Sequence, residues 1–184
     1  MQNNQVAPAA EGLTETVDGE LFKAVLRGHP GGVAVITADD GTRPVALTAS
    51  SVSSVSADPP LLVFSTSALS GASEVINRAE SVVIHLLDSN DLELAKLAAE
   101  RGSDRFADRT RWYRLPTGEA VFRGVRSWLR CVVLDRVDAG GSTVTVVRAL
   151  EGHIERDVEP GQHGDALVYH NRTWHRLGEA SKIA

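Results

Sequence analysis

The residues whose types and spacing best suit ligand chemistry lie in a serine-rich stretch near the fiftieth position. Five serines fall within the seven residues from Ser50 to Ser56, with Val52 and Val55 interleaved among them. Small hydroxyl side chains let the backbone approach a flat, polar ligand, and they donate and accept hydrogen bonds there. The stretch therefore suggests a ligand site, and an ordinary serine-rich strand and loop is the alternative interpretation.

Residue types that carry out nucleophilic or metal-assisted chemistry show no corresponding pattern. The chain contains no Gly-x-Gly, no P-loop and no Gly-x-Ser-x-Gly motif, which argues against a Rossmann or P-loop nucleotide site and against an acyl-transfer nucleophile. The six histidines lack metal-ligand spacing, and His170 and His175 flank a predicted turn. We predict no metal site and expect a bound cofactor to carry any catalysis, with the protein supplying orientation.

Composition limits the classes of function that we expect and the cellular compartment in which the protein is expected. The 184 residues carry a net charge of −5 without a basic tract, which disfavours binding to nucleic acid. The single cysteine, Cys131, lies in an apolar run that favours a small buried thiol, and a chain without a cysteine pair suits a reducing compartment. The first twenty residues lack a signal-peptide pattern, and no apolar segment reaches the ~18 residues of a membrane span. We expect a cytoplasmic protein that does not enter a membrane.

The elements that must position the serines are mainly strands. Apolar residues at helical spacing behind Asp18 predict one short amphipathic helix that ends at residues 28–32. Strands are predicted over residues 33–37, 44–48, 61–65, 81–87, 128–137, 142–154, 166–170 and 173–177, helices over 73–79 and 92–101, and irregular structure over 102–127. These strands do not alternate with helices, so we expect a mainly β fold, an antiparallel barrel with peripheral helices.

One domain is expected, because a globular domain usually takes about 100–200 residues. Residues 1–15 are polar and aperiodic and are predicted to be a flexible N-terminal tail. Residues 16–178 form the predicted domain, and residues 179–184 form a C-terminal tail.

Several motifs, in order over about residues 20–178, together resemble the flavin reductase-like, FMN-binding split-barrel family. The most specific is Thr48-Ala49-Ser50-Ser51 followed by Ser54-x-Ser56-x-x-Pro59-Pro60-Leu61. The others are Gly32-Val33-Ala34-Val35-Ile36-Thr37, the predicted strand 81–87 followed by Asp91-Leu92-Glu93-Leu94-Ala95, Arg105-Phe106, Pro116-x-Gly118 and Leu129-x-Cys131.

This resemblance implies a homodimeric, six-stranded antiparallel split β-barrel that binds FMN or FAD and takes hydride from NADH or NADPH. By the same resemblance, residues 48–51 lie against the isoalloxazine ring and residues 65–70 receive the flavin phosphate. The cofactor-binding residues it implies are Thr48, Ala49, Ser50, Ser51, Ser56, Ser65, Ser67, Ser70, His85, Arg105 and Phe106.

The chain departs from the family pattern at two informative places. Many relatives carry Gly-Asp-His in the final hairpin, close to the nicotinamide, where this chain has Gly140-Gly141-Ser142. Ser142 and His29 are its candidate nicotinamide-side residues. At the position of His85 the family more often has asparagine, and the alternative for this histidine is a hydrogen-bonded core residue. The arginines of the 101–114 segment either meet phosphates or form a solvated loop.

The leading functional hypothesis is an NAD(P)H:flavin oxidoreductase, the reductase half of a two-component monooxygenase. Hydride transfer between stacked rings requires positioning rather than an acid or base, so no single catalytic side chain is expected. Reduced flavin would diffuse to a partner monooxygenase. The alternatives are a reductase that uses FMN or a deazaflavin to act directly on an organic substrate, and a flavin-binding protein without turnover.

Overall fold

The computed structural model describes residues 16–68, 70–154 and 165–183, and strands dominate it. The described helices are α1 (Gly19–Arg27), α2 (Gly71–Ile76) and α3 (Leu92–Ala99), with 3-10 turns at Ser89–Asp91, Arg109–Arg111 and Glu179–Ser181. The described strands are β1 (Gly31–Gly32), β2 (Ala34–Asp39), β3 (Pro44–Ala49), β4 (Ser53–Ala57), β5 (Pro60–Ser67), β6 (Ser81–Leu86), β7 (Trp112–Arg114), β8 (Ala120–Phe122), β9 (Ser127–Ala139), β10 (Ser142–Ile154), β11 (Ala166–His170) and β12 (Thr173–Leu177).

Seven of these strands form one antiparallel sheet in the order β3-β2-β6-β9-β10-β5-β4. The strands at its two ends, β3 and β4, are not hydrogen-bonded to each other, so the sheet is not a closed barrel. Smaller sheets join β1 to the β11–β12 hairpin and β7 to β8. The prediction of a mainly β fold is confirmed. The large sheet has seven strands, whereas the resemblance implies six, because the serine-rich β4 pairs with β5 and adds a seventh strand to the sheet.

Strand β2 lies at the centre of the core because both of its faces are covered. Ile36 on one face packs with α2 and the inner side chains of the sheet, including Phe64. Val35 on the other face packs with α3 and with Phe122 of β8. A strand buried on both faces has no polar alternation, which is why residues 33–36 are continuously hydrophobic.

Helix α1 begins as predicted but is not covered by the rest of the chain. The side chain of Asp18 accepts hydrogen bonds from the backbone N–H groups of Glu20 and Leu21, at 3.1 Å each, and Gly28 follows its last residue. None of the nine helical residues is buried. The apolar stripe that the sequence predicts therefore faces away from the core of its own chain.

One prediction about local structure was wrong, and one alternative that the sequence left open was decided by the fold. The 102–127 segment contains the β7–β8 hairpin rather than only irregular structure, and each of its strands is three residues long, too short for periodicity to reveal. Strand β4 lies in the serine-rich stretch, which the sequence left open between a ligand site and an ordinary strand and loop, and pairing with β5 decides its conformation. The remaining predicted elements are present, with ends displaced by a few residues.

Cys131 is fully buried, as the apolar run predicted, and burial raises the pKa of its thiol to about 12. The thiol is therefore protonated and inert at neutral pH. No helix within the described ranges is long and apolar enough to span a membrane. The predicted N-terminal tail lies outside the described residues, and the predicted domain limits remain predictions.

Candidate functional site

An open groove of about 1290 Å³ lies between β3, at one end of the large sheet, and β5, the second strand from the other end. One wall is β3 with the residues on either side of it, the second is β5 with the segment that leads into α2, and the third is the segment after α3. The residues from the sequence prediction that line it are Thr48, Ala49, Ser50, Ser51, Ser65, Ser67, Ser70, Arg105, Phe106 and Ser142.

The hydroxyl of Ser51 ties the end of β3 to β5. Its Oγ accepts a hydrogen bond from the backbone N–H of Ser65 at 3.0 Å and lies 3.1 Å from the carbonyl oxygen of the same residue, to which it donates. This hydroxyl therefore both donates and accepts a hydrogen bond within the fold. Ser51 holds the split between the two sheet ends at a defined width, and its position in the groove is structural.

The hydroxyl of Thr48 is also bonded within the fold: its Oγ1 donates a hydrogen bond to the carbonyl of Ala95 at 2.6 Å. This bond fastens α3 against β3. Ser50 differs from both, since it is exposed and its hydroxyl bonds to no described residue. Gly31 of β1 lies behind it: a Cβ at Gly31 would stand 3.0 Å from both the Cβ and the carbonyl oxygen of Ser50.

The second wall supplies hydroxyl groups from residues 65–73. Ser70 precedes α2 without a side-chain bond to it, and Ser73 is 1% exposed with an Oγ that has no hydrogen-bond partner. A buried hydroxyl without a partner is costly, and a ligand oxygen beside it would remove that cost. Hydroxyl donors of this kind fit the oxygen atoms of a phosphate monoester.

Hydrogen bonds behind this wall fix its position. Thr66 donates to the side-chain oxygen of Asn77 at 2.9 Å, and the Asn77 amide donates to Thr143 at 3.2 Å, which links β5, the end of α2 and β10. Ser142 stands opposite Ser67 in the pairing of β10 with β5. The residue that replaces the family histidine therefore lies inside the groove.

The structure places His85 in the core rather than in the groove, which corrects its assignment to the cofactor. The ring is fully buried; Nδ1 lies 3.0 Å from the carbonyl oxygen of Val35, and Nε2 accepts the backbone N–H of Phe122 at 3.0 Å. Burial lowers the pKa of this imidazole to about 4, against the opposing effect of the Val35 hydrogen bond. A neutral ring that donates at Nδ1 and accepts at Nε2 satisfies both contacts.

Two other predicted residues do not line the groove. Ser56 lies on β4 opposite Leu61, and the exposed His29 follows the end of α1. His170 and His175 do approach each other across the β11–β12 hairpin, with ring centroids 5.5 Å apart. Over the described ranges, however, no three metal-ligating side chains gather in one place.

Arg105 and Phe106 lie in the groove, and their polar groups support its third wall. The Arg105 guanidinium donates to the carbonyls of Ala98, Glu100 and Ser103, at 3.1, 2.6 and 3.3 Å. The carbonyl of Phe106 accepts the indole N–H of Trp112 at 3.1 Å. Both residues thus shape the segment after α3.

The chain matches the model of the flavin reductase-like domain family over residues 26–178. It belongs to this family. Among curated relatives, the NADH:FMN oxidoreductase of Rhodococcus qingshengii is 39% identical over 172 residues, which cover 94% of this chain and 88% of the relative.

Solved structures of flavin reductase-like proteins share the fold. The flavin reductase domain protein from Arthrobacter sp. FB24 superposes with a TM-score of 0.79 at 30% identity, covering 86% of this chain and 95% of that protein. BorF, the flavin reductase component of a bacterial two-component tryptophan halogenase, gives a TM-score of 0.76 at 28% identity, covering 88% of this chain and 99% of that one.

Several groove residues of this flavin reductase-like domain were not predicted from the sequence, among them Ser73, Arg43 and Trp112. Ser73 continues the three-residue spacing of Ser67 and Ser70, and that spacing was the available signal. Arg43 and Trp112 come from the β2–β3 turn and the 102–127 segment, and no local pattern indicates that these parts of the chain meet. Arg109 also lines the groove and belongs to the arginine segment for which the sequence left phosphate contacts and a solvated loop open.

Proposed function

We propose that this protein is an NAD(P)H-dependent flavin reductase that transfers hydride from NADH or NADPH to FMN or FAD. The observation that carries the proposal is the groove at the split of the sheet, with hydroxyl groups on both of its edges. Family membership and a relative named as an NADH:FMN oxidoreductase, 39% identical to this chain, support the same activity.

The residues present fit a flavin mononucleotide unit. The backbone of residues 48–51 and the hydroxyl of Ser50 bind the ring on the β3 side. The hydroxyls of Ser65, Ser67, Ser70 and Ser73 bind the phosphate, and the buried, unpartnered Oγ of Ser73 supports this placement. Thr48 and Ser51 act on the ring through their backbone groups, because their hydroxyls are bonded within the fold.

The bound flavin supplies a ring nitrogen that accepts hydride from the nicotinamide. The protein contributes orientation, since the groove holds hydroxyls, guanidinium groups and backbone groups, and His85 is buried outside it. Ser142 stands on the nicotinamide side, where it offers a hydroxyl in place of the imidazole common in relatives. A hydroxyl donates a hydrogen bond but stays neutral, so the chain holds the nicotinamide without a titrating group there.

We infer that β3, β2, β6, β9, β10 and β5 form the six-stranded split barrel and that β4 is an extension of it. The split lies between β3 and β5, which Ser51 bridges. We further infer a homodimer. Its support is the uncovered apolar face of α1, on which Phe22 is 57% and Val25 66% exposed, because such surfaces on folded proteins mark interfaces.

We propose that the reduced flavin leaves for a separate flavin-dependent monooxygenase. BorF serves as the reductase component of a two-component system, and the groove of this chain is open to solvent. An open groove permits a flavin to enter oxidised and leave reduced between turnovers.

Purified protein assayed without oxygen tests this activity directly. FAD, FMN or no flavin is mixed with NADH or NADPH, and nicotinamide oxidation is followed by absorbance in a stopped-flow instrument. Steady oxidation that depends on added flavin is expected. Tight flavin binding without turnover would point to a passive flavin-binding protein, and protein that neither binds flavin nor accelerates nicotinamide oxidation would overturn the proposal.

A further inference from the structure

Three serines of the second groove wall are joined to Asn77 by a series of backbone hydrogen bonds. The N–H of Ser70 donates to the carbonyl of Ser67 at 3.2 Å, and the N–H of Ser73 donates to that of Ser70 at 3.0 Å. The N–H of Asn77 then donates to the carbonyl of Ser73 at 2.8 Å. The three serines line the groove, and Asn77 lies outside it. The series therefore runs from the groove to one residue behind it.

The side chain of Asn77 fastens the end of this series to two strands. Its Oδ1 accepts a hydrogen bond from the hydroxyl of Thr66 at 2.9 Å, and its Nδ2 donates to the hydroxyl of Thr143 at 3.2 Å. Thr66 and Thr143 stand opposite each other in the pairing of β5 with β10, and Thr66 directly precedes Ser67. One carboxamide thus fixes α2, which follows Ser70, against the strand that carries Ser67.

This wall has no basic side chain of its own with which to hold a phosphate. Residues 65–77 contain no lysine or arginine. Their one charged residue, Glu74, is exposed and pairs with Arg78 at 2.7 Å. Neutral hydroxyls contribute to phosphate binding only where they donate at ~2.5–3.0 Å and in nearly linear geometry. A small shift of α2 against β5 would misalign several hydroxyls at once, so the wall depends on how firmly it is held.

A second attachment keeps α2 in place independently of Asn77. The guanidinium of Arg136 on β9 donates from Nη2 to the carbonyl of Ile76 at 3.2 Å and to that of Ala79. The side chains of Val75 and Ile76 are buried in the core. Loss of the Asn77 side chain should therefore change the alignment of α2 without detaching the helix.

We propose that Asn77 is a positioning residue that makes the groove select phosphorylated flavins over riboflavin. It acts through the serines of the second wall, because its own side chain is bonded to Thr66 and Thr143. The inference rests on the proposed flavin reductase function and adds to it the residue that sets the preference for a phosphate.

Two variants remove the attachment, and a third is the matched control. Asn77→Leu removes both side-chain bonds, and Thr143→Val removes only the bond to β10. Thr145→Val makes the same chemical change two residues further along β10. Thr145 is fully buried, and its hydroxyl bonds to no described residue. The control therefore removes a buried threonine hydroxyl without removing a hydrogen bond.

The measurement is the Kd of FMN and of riboflavin for each protein, by flavin fluorescence without nicotinamide, with thermal unfolding to show that each variant is folded. The wild type is expected to bind FMN at least about tenfold more tightly than riboflavin. Asn77→Leu should weaken FMN at least about fivefold and riboflavin less than about twofold. Thr143→Val should act in the same direction by about threefold, and Thr145→Val should leave both Kd values unchanged. A merely structural role would weaken both flavins together.

Three results would overturn the inference: equal losses for FMN and riboflavin, no loss relative to Thr145→Val, or a wild type without a preference for FMN. If Asn77→Leu does not fold, Thr143→Val decides by the same comparison. A failure of the proposed function is distinct from these results, because the wild type would then bind neither flavin and would not oxidise NADH. An active reductase whose variants keep the preference for FMN would refute only the role of Asn77.

Discussion

At the scale of the residue, Gly31 determines where Ser50 stands. A Cβ at Gly31 would lie 3.0 Å from Ser50, whereas a Cβ at the neighbouring Gly32 would contact nothing within 4 Å. We expect Gly31→Ala to push Ser50 into the groove and to raise the Kd for FMN about three- to tenfold, a loss of the size expected for one hydrogen bond. Fluorescence titration with FMN measures it.

Gly32→Ala is the matched control and should leave the FMN affinity unchanged. A Cβ at Gly31 is crowded whereas a Cβ at Gly32 is not, so denaturant titration of both variants must show that a loss of affinity in Gly31→Ala does not come from unfolding. Equal affinities in the two variants would show that Gly31 does not position Ser50.

His85 makes stability depend on pH. Burial lowers its pKa to about 4 from an ordinary 6.5, so the folded state disfavours the protonated ring. Its contribution to the free energy of unfolding is fully present above pH 6.5 and is lost as the pH falls towards 4. A shift of this size corresponds to about 3 kcal/mol. Urea unfolding of the wild type and of His85→Asn at pH 7 and pH 4.5 measures the effect.

The free energy of unfolding of the wild type should exceed that of His85→Asn by less at pH 4.5 than at pH 7, because only the wild type carries the titrating ring. Carboxylates such as Asp40 are present in both proteins and cancel in the difference. An advantage that stays constant between the two pH values would mean that the ring is protonated in the folded state or accessible to water.

At the scale of the element, one hydroxyl fastens α3 to β3. Thr48→Val removes the bond to Ala95 and should lower the free energy of unfolding by about 1 kcal/mol. The affinity for FMN should change little, since the Thr48 hydroxyl is bonded to the helix. Ser50→Ala should show the opposite pattern, with weaker flavin binding and unchanged stability. Denaturant titration and FMN titration of both variants measure the two effects, and weaker FMN binding in Thr48→Val would show that its hydroxyl leaves the helix for the ligand.

At the scale of the whole molecule, the apolar face of α1 predicts self-association. We expect sedimentation equilibrium to give twice the chain mass of 19.7 kDa. Phe22→Glu places a charge on the exposed apolar face, and it should shift the protein towards the monomer. Ala24→Glu adds the same charge to the same helix away from that face and should leave the dimer intact. A wild-type monomer, or equal effects of the two variants, would remove α1 from the interface.

How much of the fold and of the site could be predicted from the sequence depends on how far apart in the chain the interacting residues lie. The serine stretch, the helix behind Asp18 and the long strands β9 and β10 were predicted, because caps, periodicity and motif spacing act within a few residues. The hydrogen bond of Thr48 was not predicted, and for His85 the core and cofactor interpretations both stayed open, since their partners Ala95 and Val35 are 47 and 50 positions away. A side chain that bonds across such a separation leaves no local pattern.

The sequence by itself determined the family, the mainly β class and the serine-rich stretch that lines the groove, because these depend on the order and types of residues. Only the tertiary structure decided which hydroxyls are available: folding commits those of Thr48 and Ser51 to backbone carbonyls and leaves that of Ser50 open to the groove. It also brought the segments around β3 and after α3 together in that groove. The physical reason is that a polar group's availability depends on every donor and acceptor that folding places beside it.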